Sequence, residues 1–211
     1  MHEYIIDGGL EPGTPLPSES EMVEQIGVSK FSMREALRVA QSQGLIEISQ
    51  GKRTRVADVS VKPAAGAMDL LLKRSKSLLL ELTEARRSLE VSIVRLAAVN
   101  RTEAQVLEME ETIETMEANQ GDISLCVDMD IEFHKIMARS TNNRVFELLH
   151  GSVVGLLRES REETMRISGI ERPISEHRKI VEAIKAKDAD KAAEYMQAHL
   201  DTAESSLNEL S

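Results

Sequence analysis

Four side chains in the second half of the chain have the types and the spacing to meet around a metal ion. Asp130 and His134 stand four apart in Asp130-Ile131-Glu132-Phe133-His134, so on a helix both project from one face. His177 and His199 each lie eleven residues from Asp188, which sits in a short polar break. An antiparallel helix pair turning there brings the two imidazoles level, at ~1.5 Å of rise per residue. Three imidazoles and a carboxylate converging in a bundle make a site for a first-row divalent ion, zinc first, with nickel, manganese or iron as alternatives. Taken singly, a histidine on a half-buried helix is more often a hydrogen-bonded core or surface residue, and the pattern alone leaves both readings open. His150 and His2 have no such partners and are read as structural or exposed.

A second group of residues, near the N-terminus, has phosphate and base chemistry. Ser29-Lys30-Phe31-Ser32-Met33-Arg34 opens a predicted helix, with Lys30 and Arg34 on one face. Lysine and arginine reach phosphates or guanine edges, serine hydroxyls bond phosphate, and a helix N-terminus attracts it. Gly51-Lys52-Arg53 would form a basic hairpin tip beside them. A solvated basic face is the plain alternative. Agreement of spacing, turn residues and basic tip within about fifty residues favours DNA, because a helix-turn-helix presents the first turn of its second helix to the bases.

These residues need elements to hold them. Ser18 and Glu21 form a predicted capping box for a helix ending near Ile26, Gly27 supplies the turn, and Ser29 caps a helix over residues 30–43. Residues 45–49 and 54–57 alternate as two short strands around the basic tip. Residues 59–74 read as a linker with a short helix. Six helices are then predicted, over 77–100, 102–118, 122–139, 144–165, 173–187 and 190–210. The expected fold is mainly α: a winged helix-turn-helix at 1–58 and an antiparallel all-helical bundle at 75–211.

Composition agrees with helix-on-helix packing: aromatics are 2 % and Trp is absent, while Leu and Met abound. One cysteine, Cys126, excludes an intramolecular disulfide. No apolar stretch is long enough to span a bilayer and no signal-peptide pattern opens the chain, so a cytoplasmic protein is expected. The net charge of −10 runs against DNA binding, but residues 26–56 carry six bases against two acids. Fields are largely screened beyond ~8 Å at physiological salt, so a local basic island still attracts phosphate.

Pro12-Gly13-x-x-Leu16-Pro17-Ser18-Glu19, Gly27-Val28-Ser29-Lys30, Arg34-Glu35-Ala36-Leu37 and Gly44-Leu45-Ile46 resemble the DNA-binding domain of the GntR family of bacterial regulators. The resemblance implies DNA contacts from Lys30, Ser32, Arg34 and Gly51, to which the residue chemistry above adds Ser29 and Lys52. Two residues depart from the family pattern: Ser20 stands where a DNA-contacting Arg is common, and Lys30 where Arg is usual. The first helix is short, which leaves room for a trimmed N-terminus or a later start codon. Residues 75–206 resemble the FCD ligand-binding domain of the FadR subfamily, through Glu84-Ala-Arg86-Arg-Ser-Leu89-Glu90, Asp130-x-x-Phe133-His134, Asn143, and Glu176-His177-x-x-Ile180-x-x-Ala183-Ile184 followed by Asp188 and His199. In metal-containing members the ligands match Asp130, His134, His177 and His199. Arg86 then holds an effector carboxylate, and Asn143 joins the effector site.

The expected function is a homodimeric, ligand-responsive regulator that binds a palindromic operator. It acts as a repressor released by a small organic acid at the metal centre. The alternatives are a metal-dependent enzyme of small carboxylates, for which no leftover general base is evident, and a purely structural metal.

Overall fold

The computed structural model describes residues 2–49, 53–58, 63, 65, 66, 68, 69 and 76–209. The chain divides into two compact units, residues 1–67 and 68–211. The predicted linker falls largely outside the described residues.

In the first unit α1 (His2–Ile6) is followed by α2 (Glu19–Ile26) and α3 (Lys30–Ser42). Ser18 and Glu21 make the capping box: the hydroxyl accepts from the Glu21 amide at 3.3 Å, and the Glu21 carboxylate accepts from the Ser18 amide at 2.6 Å. Gly27 closes α2 at φ 75°, a left-handed conformation that a residue with a Cβ enters only at a cost. Ser29 then caps α3 by accepting from the Ser32 amide at 3.0 Å. The hairpin consists of β1 (Ile46–Glu47) and β2 (Arg55–Val56), antiparallel, with Ile46 opposite Val56 and Glu47 opposite Arg55. The segment before α2 joins this sheet as well: Leu16 donates to the Thr54 carbonyl and Val56 to the Thr14 carbonyl. Ile5, Leu16, Met22, Met33, Leu37, Ala40, Ile46 and Val56 form the core that fixes α3 against the hairpin.

The second unit is all helical: α4 (Lys76–Asn100), α5 (Glu103–Ala118), α6 (Ile123–Arg139), α7 (Arg144–Val154), α8 (Arg158–Ser168), α9 (Glu171–Lys185) and α10 (Ala189–Glu209). The single helix predicted over 144–165 is in fact two, separated by a 3-10 turn at Gly155–Leu157. Glycine is a poor helix former, and a tighter turn satisfies the backbone while redirecting the chain. Pro173, predicted to open its helix, lies in the first turn of α9, where an absent N–H costs nothing. On α5 Val106, Met109, Ile113 and Met116 form the buried stripe, while Leu107 is 58 % exposed. On α4 the buried face runs through Leu82, Arg86, Glu90, Ile93 and Ala97, with Leu89 half-buried beside it. This face turns two charges into the bundle. No helix among the described residues is long and apolar enough to cross a membrane.

Candidate metal centre and nucleic-acid interface

Asp130, His134, His177 and His199 come from α6, α9 and α10, and all four are buried. Each offers one ligand atom within 4.8 Å of every other. The turn at Asp188 does what the spacing predicts, setting the His177 and His199 rings 4.9 Å apart. His134 lies 5.3 Å from each of them, centroid to centroid. Asp130 Oδ1 is 3.4 Å from His177 Nε2, while Asp130 Oδ2 is hydrogen-bonded by Nη1 of Arg161 from α8. One carboxylate oxygen is thus directed at the histidines and the other is held by a cation.

Two rings are met by carboxylates and the third is set by packing. His199 Nδ1 is hydrogen-bonded with Glu176 Oε2 at 2.8 Å, and His134 Nδ1 lies 2.5 Å from Glu90 Oε2, with Arg86 Nη2 3.4 Å from its other nitrogen. A carboxylate on one ring nitrogen selects the tautomer that leaves the other nitrogen's lone pair free for a cation. His177 is set by packing, its ring stacked on Phe133 at 4.1 Å and 7°. Both His177 nitrogens are buried without a hydrogen-bond partner. Such an orphaned group costs roughly 1–3 kcal/mol, and a metal ion would satisfy it.

Electrostatics favour the ligating forms. Burial pushes His134 down to about 4 and His177 well below the ordinary histidine range, so both are neutral at physiological pH. Burial alone would raise Asp130, but Arg161, with the imidazoles behind it, holds the carboxyl well below its usual range. Neutral imidazoles with an ionised carboxylate are the donor states a divalent transition metal takes. Ligand atoms on an ion at ~2.1 Å stand roughly 3–4 Å apart, as Asp130 and His177 do. The residues present fit the ion.

Glu90, Arg161 and Glu176 were not singled out by the sequence. Glu90 is fully buried; it pairs with Arg86, meets His134, and lies 3.3 Å from His150 Nε2. Burial opposes its ionisation, yet Arg86 and His134 hold it well below the usual carboxylate range. His150, expected to be structural or exposed, is buried at this carboxylate. Arg86 and Glu90 are themselves an i, i+4 pair, which was a usable signal. A cavity of about 1,100 Å³ opens onto the cluster, and Arg86, Asp130, Arg161 and His199 line its inner end. Asn143 is not brought there: it is exposed and caps α7, accepting from the Val145 amide at 3.0 Å. Arg87 instead reaches Asp201 at 3.0 Å and also contacts Glu204.

On the first unit Ser29, Lys30, Ser32 and Arg34 are all exposed on the first turn and a half of α3, with Phe31 beside them at 74 % exposure. Arg34 Nε donates to Glu19 at 2.9 Å across the α2–α3 turn. An exposed pair of this kind is worth about 0–1 kcal/mol and yields readily to a phosphate. Gly51 and Lys52 lie outside the described residues.

Comparison with known proteins now decides what carries these two sites. Residues 1–56 match the bacterial regulatory proteins of the gntR family, and residues 81–202 match the FCD domain. The chain belongs to the GntR family of transcriptional regulators, with an FCD domain. It is 30 % identical to the HTH-type transcriptional regulator LutR of Bacillus subtilis (strain 168), covering 97 % of this chain and 96 % of LutR. It is 29 % identical to the HTH-type transcriptional repressor NanR of Cronobacter sakazakii, covering 90 % of this chain and 75 % of NanR. Among solved structures it resembles a Streptococcus agalactiae GntR protein, with TM-score 0.74, 26 % identity, and coverage of 96 % and 94 % of the two chains. The chain is therefore a DNA-binding regulator, and its family is one of regulators rather than enzymes, which sets aside the enzyme alternative.

Proposed function

We propose that this protein is a homodimeric, cytoplasmic repressor that leaves a palindromic operator when a small organic acid binds at its metal centre. The carrying observation is a buried three-histidine, one-aspartate cluster that opens, beside Arg86, onto a cavity of about 1,100 Å³. Asp130, His134, His177 and His199 hold a divalent ion, zinc first. When bound, that ion supplies a Lewis-acidic centre for an oxygen of the effector. Arg86 takes a carboxylate oxygen of the same molecule, since a guanidinium pairs with carboxylate in a planar fork. The repressor sign is carried over from the NanR relatives, which are repressors by name.

The DNA-binding domain occupies 1–58 and the sensing domain 75–211. Ser29, Lys30, Ser32 and Arg34 contact DNA from α3, and Gly51 and Lys52 from the wing. Effector binding in the bundle shifts the preferred spacing of the two α3 helices in the dimer, and operator affinity falls.

The test selects the operator from random duplex DNA and follows it by fluorescence anisotropy with zinc-loaded protein. Hydroxy acids and sugar acids are then added. At least one acid is expected to release the DNA, while Asp130→Ala and His199→Ala bind the operator and ignore that acid. Release by the same acid in both variants would overturn the metal-centred reading.

A further inference from the structure

Two buried cations face the inner end of the cavity, and the protein's own anions match them only while no metal is present. Arg86 is 3 % exposed and Arg161 8 %. Glu90 is paired with the first and Asp130 with the second, so the four charges cancel. The outer wall cancels too. Glu176 is matched by Arg172 at 3.0 Å, Asp201 by Arg87 at 3.0 Å, and Glu171 and Lys179 contribute one charge of each sign. A divalent ion on neutral imidazoles therefore adds two positive charges, and no carboxylate among the described residues lining the cavity is left to offset them. Uncompensated buried charge is costly even after relaxation.

Arg161 also has a hand to spare. Its Nη1 holds Asp130, but its Nη2 is buried and has no hydrogen-bond partner, and the residue lines the cavity. A guanidinium presents several donors in a fixed fork, so a group bonded through one nitrogen can anchor an anion through the other.

We propose that the effector is a dianion, a small molecule with two acid groups, and that Arg161 holds the second one. The inference rests on the sensor reading above and narrows it. One acid group lies on the metal and Arg86, and the other meets Arg161 Nη2, which brings the buried charge to zero. A monocarboxylate leaves one positive charge and the Arg161 donor uncompensated. The chemistry named is that of a small dicarboxylate, since a phosphorylated carboxylate carries about three negative charges at neutral pH and would overshoot the balance.

Isothermal titration calorimetry on the zinc-loaded full chain separates the possibilities. Malate is titrated against 2-hydroxybutyrate and 3-hydroxybutyrate, each of which replaces one of its carboxylates with a methyl group. Succinate is titrated against butyrate, which makes the same replacement without the hydroxyl. At least one dianion is expected to bind about 10-fold tighter than its monoanionic counterpart, the return from one charge-assisted hydrogen bond. Arg161→Gln is expected to reduce that preference to below about threefold, with Arg161→Lys intermediate. The wild-type comparison decides even where a variant fails to fold. Equal binding of dianion and monoanion, or a preference that survives in Arg161→Gln, overturns the dianion while leaving the metal-and-Arg86 sensor standing. Failure of every acid to bind the zinc-loaded protein overturns both.

Discussion

Among the described residues of 1–67 the buried side chains are all apolar, and every described residue offered to DNA stands in solvent. In residues 68–211 the order is reversed: Arg86, Glu90, Asp130, His134, His150, Arg161, His177 and His199 are all buried. The first unit separates stability from function, because its core packs without regard to Lys30 or Arg34. The second merges them, because its reactive groups lie inside the packing. Surface charges are screened and act nearly independently, whereas buried ones are strongly coupled to their partners. A surface site can thus change its specificity cheaply, while a buried one can change only as a network.

The largest expected effect tests the buried side of that contrast. Glu90→Ala leaves Arg86 in the core without its carboxylate and should lower stability by about 3–5 kcal/mol in urea titration. A loss under about 1 kcal/mol would mean that the buried charges are not coupled as described.

Metal removal comes next. At free zinc near 100 times Kd the ion contributes about 2.7 kcal/mol, or roughly 5–10 °C in the unfolding midpoint for a chain of this size. Calorimetry should show that drop on chelation of the wild type and neither gain nor drop in His177→Ala. A midpoint that responds to zinc equally in both would place the ion elsewhere.

The smallest stability effect belongs to the surface side. Arg34→Ala should cost about 1–3 kcal/mol in operator affinity by anisotropy. Its stability should stay within about 0.5 kcal/mol of wild type, since the Glu19 pair is exposed. A fall in stability as large as the fall in affinity would break the comparison.

Local signals were legible and distant ones were not. The capping box at Ser18 and Glu21, the αL turn at Gly27 and the cap at Ser29 are written within a few residues, and the first unit follows its predicted elements closely. The i, i+4 relation of Asp130 and His134, and the equal distances of His177 and His199 from their turn, carried the metal cluster into view. Arg161 escaped notice because its partner is 31 residues away and nothing periodic marks it. Glu90 is hidden because a glutamate on a long helix reads as solvated unless its i−4 partner Arg86 is taken into the bundle with it. The break at Gly155 carries no left-handed signal, as its φ of −72° is helical, so α7 and α8 read as one helix.

The cavity wall has a distribution along the chain that bears on how such cavities diversify. Apart from Arg86 and Asp130, the residues lining it come from one contiguous stretch, 161–206. Two of the candidate metal ligands, His177 and His199, are threaded through that stretch at the spacing the turn requires. Exchange of this one segment between related genes would carry most of a new wall together with half of the candidate ligand set, and leave α3 untouched. A change of cavity chemistry would then take a single recombination event and no change in the residues offered to DNA.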